Sequence, residues 1–102
     1  MAPQSDLHDA LKVIMGEGKV YFQPPPSVTV EEPCIIYHRD AADTKFADNA
    51  PYRYTQRYTV IYVDRRPDRE DILAKIAALP MCLYQRWYTA NNLNHDAFVL
   101  YF

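Results

Sequence analysis

Apolar positions recur along this chain with two periods, and their order lays out most of the fold. Leu7, Ala10, Leu11 and Ile14 repeat at i, i+3, i+4 and i+7, the signature of one apolar helical face, and Ser5 stands ahead of them as a candidate cap. The pattern predicts a first helix that ends at Gly16 or Gly18. Val20 to Phe22 is a short apolar run stopped by Pro24, Pro25 and Pro26, which cannot donate ladder hydrogen bonds. A short edge strand and a stiff spacer are expected there, since no PxxP pattern with basic flanks marks the prolines as a docking motif.

Pro33 opens CIIYHR, a β-rich segment expected to be a central strand. The residues that follow, RDAADTKFADNAPY, are polar and turn-prone, so Asp40 to Pro51 reads as a long loop rather than a tight hairpin turn. From Tyr52 the chain runs YRYTQRYTVIYVD, with Tyr54, Gln56, Tyr58, Val60 and Tyr62 alternating with Arg53, Thr55, Arg57, Thr59, Ile61 and Val63. That is a long strand, amphipathic in its first half and apolar on both faces in its second. A second helix is expected with Pro67 in its first turn and Asp68, Glu70 and Asp71 at its positive end. Ile72, Leu73, Ile76 and Leu79 form its apolar face, and Pro80 stops it. MCLYQRWY and DAFVLYF supply two more strands, the last of them paired inside the sheet.

The expected fold is therefore a single α+β domain over residues 1–102, with two helices on a mainly antiparallel sheet of four to five strands. The sheet becomes mixed if the second helix is a crossover.

Composition changes this picture in three places. A formal net charge of -2 lacks the basic field that drives binding to phosphate backbones. Met1 to Leu11 carries no basic or apolar leader pattern and no run suits a membrane span, so neither export nor a membrane anchor is expected. Nine tyrosines against two glycines favour surfaces that pack and still meet water, which points towards an interface protein.

Candidate chemistry is sparse. His38, Asp40, His95 and Asp96 are metal-ligand types, but His95 and Asp96 face opposite sides of a strand, so no metal site is expected. Cys34 and Cys82 lie among apolar neighbours, where a thiol is poorly accessible and hard to ionise; buried free thiols are expected rather than a Cys/His nucleophile. No glycine-rich phosphate cradle, GxSxG or HExxH appears. Neither an enzyme nor a cofactor is expected. Arg65, Arg66 and Arg69 are interleaved with Asp64, Asp68, Glu70 and Asp71, a mixed run typical of a solvated face. Arg53 and Arg57 share one strand face and suit carboxylates across a subunit boundary. Asn91, Asn92 and Asn94 suit a braced hairpin turn, or polar contacts in an assembly.

Taken in order, KFADNAPY, RYTVIYVDRRPD and WYTANNLNHDAFVLYF resemble a family of small tail proteins of long-tailed phages and prophages, the tail terminator or tail completion (minor tail) proteins. The likeness runs from about Val20 to Phe102 and includes the spacing from Gln23 to Pro33. It implies a subunit made in the bacterial cytoplasm that forms a ring of six copies at the head-proximal end of the tail tube. Its partners would be further copies of itself, the tail tube protein and the head–tail connector or neck protein. Genomic DNA would only pass through the lumen. On that view Asp43, Lys45, Phe46, Asp48 and Asn49 carry lumenal or tube contacts, while Arg53, Arg57, Asn91, Asn92, Asn94 and His95 carry contacts between subunits. The alternatives are a head-side neck protein and, in a different class, a small enzyme using His38, His95 and a carboxylate.

Overall fold

The structure, a computed structural model, describes residues 4–16, 19–27, 29–47 and 50–102, with 41–47 and 50–55 described by backbone alone. Helix α1 spans Gln4–Met15 and buries Leu7, Leu11 and Met15, the expected stripe carried one turn further. It ends at Gly16, whose φ of 65° costs nothing without a Cβ and whose N–H bonds the Lys12 carbonyl at 3.0 Å. Ser5 lies inside the first turn and not at the cap. The apolar stripe marks only the first buried position, while the Gln4 side chain donates to the Tyr37 hydroxyl and ties the start of the helix to the sheet.

Five strands follow: β1 (Lys19–Phe22), β2 (Cys34–Ala47), β3 (Ala50–Asp64), β4 (Cys82–Ala90) and β5 (Leu93–Tyr101), with helix α2 (Glu70–Ala77) between β3 and β4. Their order in the sheet is β1-β2-β3-β5-β4. β1 runs parallel to β2 and every other pair is antiparallel, so the sheet is mixed and β3–α2–β4 is a crossover that steps over β5. The carboxyl-terminal strand is indeed interior, flanked by β3 and β4.

Two sequence expectations are corrected here. Asp40 to Pro51 is not a long loop: β2 continues through Ala47 and β3 begins at Ala50, paired from Ala41↔Arg57 to Ala47↔Ala50 with a register shift between Lys45 and Phe46. The polar composition hid this strand because backbone pairing with β3 holds it, and among the described residues no other strand of the sheet pairs with it. α2 begins at Glu70, so Pro67 and Asp68 precede it. Asp64 explains the delay. It is buried, accepts the Arg66 N–H at 3.1 Å and lies 3.6 Å from Arg69, holding the chain in a non-helical turn until residue 69.

Both helices pack on one face of the sheet. There Ile35, Tyr37, Tyr58, Val60, Tyr62, Phe98 and Leu100 meet Leu7, Leu11, Ile72 and Ile76 in one buried cluster. The tyrosine reading is corrected for three of the nine, since Tyr37, Tyr58 and Tyr62 are core residues and not surface ones, while Tyr84 is exposed. Their rings supply apolar area while buried hydroxyls find partners: Tyr37 meets His8 Nδ1 at 2.7 Å and Tyr62 donates to Asp64 at 2.6 Å. On the other face Cys34, Val63 and Ala97 are buried among half-buried Ile36, Ile61 and Val99, which explains why the second half of β3 is apolar on both sides.

Candidate functional site

The sequence-predicted residues fall into three places along the sheet. At one end, Asn91 and Asn92 form the two-residue turn between β4 and β5 with φ of 54° and 63°, the left-handed pair that a type I′ hairpin needs and that asparagine tolerates. Asn94 donates from Nδ2 to the Arg65 carbonyl at 2.9 Å, and Arg65 donates from Nε to Glu32 at 2.6 Å. Glu32, Arg65, Asn91, Asn92 and Leu93 thereby line a cavity of about 410 Å³. His95 stacks on Tyr88 at 4.8 Å between ring centres, and the Arg86 guanidinium lies 4.7 Å from the centre of the Tyr88 ring. Cation, phenol and imidazole thus form one ladder beside the turn.

Arg57 sits seven residues along β3 from Asp64, the partner of Asn94, which at strand rise is about 23 Å away. Arg57 meets a carboxylate within its own chain. Its Nε donates to Asp40 at 2.8 Å, and Thr59 Oγ1 donates to the same carboxylate at 2.6 Å. Burial acts to raise the Asp40 carboxyl, but the Thr59 and Arg57 hydrogen bonds outweigh it and hold the group below its ordinary value. The bond that Arg57 donates to Asp40, with one that it donates to Tyr101, raises the guanidinium in turn. The register break between Arg39 and Ala41 inserts Asp40 as an extra residue opposite Arg57 and Tyr58, which delivers its carboxylate to this face.

The third place is the extension of β2 and β3 beyond the sheet. β5 pairing with β3 ends at Arg57↔Tyr101, and β1 pairing with β2 ends at Phe22↔Tyr37. Asp43, Lys45 and Phe46 on β2 and Arg53 on β3 lie past both limits, in a two-stranded ribbon where Asp43 is opposite Thr55 and Lys45 opposite Arg53. Asp48 and Asn49 lie outside the described residues.

The histidine and carboxylate candidates do not converge. His38 is opposite Thr59 and His95 opposite Val63, with β3 between their strands; Asp96 faces the helices, where it accepts the Tyr84 hydroxyl at 2.8 Å. Among the described residues no three His, Cys, Asp or Glu side chains group to hold a metal ion. Both cysteines are free; Cys34 is buried and its thiol is pushed up to about 11 by burial, with Glu32 and Asp64 adding to it. Cys82 is only half-buried, and burial raises its thiol too. The arginine run pairs internally, as expected of a solvated face: Arg66 with Asp68 at 3.6 Å and Arg69 with Asp71 at 3.2 Å.

Sequence reasoning missed the β4 edge. Leu83 is 71% exposed, Tyr84 53% and Trp87 54%, with Met81 exposed just before them. A groove of about 410 Å³ runs beside this edge, lined by Leu73, Ala74 and Ala77 of α2 and by Tyr84 and Phe98, with Glu70 and Asp96 supplying carboxylates. The apolar run in MCLYQRWY was the available signal, but it reads equally as an interior strand. Only the strand order puts it at the edge.

In comparisons with known proteins, no protein-family model and no curated protein matches this chain. Among the described residues no helix is long and apolar enough to cross a membrane.

Proposed function

We propose that this chain is a structural subunit of a long-tailed phage, one that assembles into a ring, taken as six copies, capping the head-proximal end of the tail tube. It ends tube polymerisation and joins the tail to the head connector. One observation carries the reading beyond the sequence resemblance: the domain combines a ribbon projecting past its sheet with a long edge strand bearing exposed Leu83, Tyr84 and Trp87. A lone two-stranded ribbon is marginal in water, and an apolar edge invites pairing, so both features suit a protein whose working state is an assembly. A closed rotation of one heterologous contact gives a ring, and a ring face that imitates a tube subunit blocks further growth. The role involves no turnover and needs no cofactor.

The test is electron microscopy of particles from a phage lacking the gene. Overlong, unjoined tails are the expected outcome. Normal-length tails beside unattached heads would replace the terminator reading with that of a neck protein. For the enzyme alternative the supporting sign would be a metal ion carried by purified protein, and His38 and His95 stand on separate strands with β3 between them.

A further inference from the structure

We propose that the free edge of β4 is completed by a strand from the Ala41–Ala47/Ala50–Thr55 ribbon of a second copy of this chain. The proposal names the contacting surfaces of the ring and rests on that reading. β4 is nine residues long, lies at the edge of the sheet and has no proline or lysine, two of the usual guards of such an edge. Leu83 is exposed on one side of it, and Tyr84 and Trp87 on the side of the α2 groove. An added strand would gain main-chain hydrogen bonds from the edge while alternate side chains drop into that groove, the division of labour found in β-augmentation.

Three observations select the occupant. Pairing of β4 with another β4 about its centre would set Arg86 against Arg86, a like-charge pair that destabilises a ladder. The opposite sheet edge, β1, has only four residues and is too short to cover β4. The ribbon strands, by contrast, run over 41–47 and 50–55, past the last pairings with β1 at Tyr37 and with β5 at Arg57, and among the described residues no third strand pairs with them. Charge agrees: the ribbon register brings basic Lys45 and Arg53 to one level, and the groove beside β4 holds Glu70 and Asp96. Because ribbon and β4 edge are different surfaces, the contact is heterologous and repeats around a ring.

The test is paramagnetic broadening between copies. A nitroxide on Thr44→Cys, in a Cys82→Ser background that removes the accessible native thiol, is mixed with unlabelled-cysteine, 15N-enriched native chain at high concentration. Selective loss of amide intensity from Leu83 to Tyr88 is expected, and a Trp87→Lys substitution in the enriched chain should restore it while its spectrum stays folded. Broadening centred on β1, or none in β4, overturns the proposal. That failure differs from failure of the ring reading. Overlong tails in the deletion phage together with a silent β4 would keep the terminator and discard these surfaces, and normal-length tails would discard the terminator itself.

Discussion

Asp40 shows how one residue can redirect an expectation. Read along the sequence, Arg57 is an exposed cation in need of a partner; in the fold, a one-residue bulge turns the Asp40 carboxylate onto it. The pH consequence has a definite sign. A carboxyl whose folded value is depressed stabilises the fold above the unfolded value, near about 4, and that stability is lost as pH falls through the folded one. Asp40→Asn should therefore lower the urea midpoint at about pH 7, and the gap from the native chain should narrow as pH falls below about 4 and Asp40 takes up its proton. A gap that stays the same size as pH falls would show that Asp40 acts through shape alone. The tyrosines teach a related lesson. Counting them points to a surface, but Tyr37 and Tyr62 can be buried because Gln4, His8 and Asp64 meet their hydroxyls, and no count of residue types reveals those partners.

At the scale of elements, periodicity was a good guide wherever a segment has one buried face. α1, α2, β1 and the Gln56–Asp64 half of β3 stand close to where their apolar spacing places them. The β4–β5 hairpin was legible for a different reason: Asn91 and Asn92 are suited to left-handed angles, and the turn takes them there. Asn92→Val should cost about 1–2 kcal/mol, the penalty for a β-branched side chain at positive φ, whereas Asn92→Gly should leave stability equal or slightly raised. Urea denaturation of the pair checks this, and equal losses in both variants would mean that the asparagine side chain, not the backbone angle, matters. Periodicity failed over Ala41–Ala47, where the described pairing is with β3 alone and no third strand follows.

The whole molecule is elongated, 51 × 30 × 23 Å, consistent with a ribbon that continues β2 and β3 past the end of the sheet. Stability and assembly should separate along this axis. Joining residue 43 to residue 55, which are opposite each other, through an Asn-Gly turn removes the outer ribbon but none of the buried helix–sheet cluster, so the urea midpoint should change little while the ability to terminate tails in a complementation assay is lost. A large fall in midpoint would make the ribbon part of the fold's foundation instead. The sequence by itself determined the α+β class, both helices, the turn at Asn91 and Asn92 and the interior place of the last strand, because these follow from local backbone preference and from apolar faces that must be buried. Strand order was decided only by the tertiary structure, and with it the exposed β4 edge, the free ribbon and the Asp40–Arg57 pair. Each depends on which distant segments become neighbours, and side-chain spacing along one strand carries no information about that.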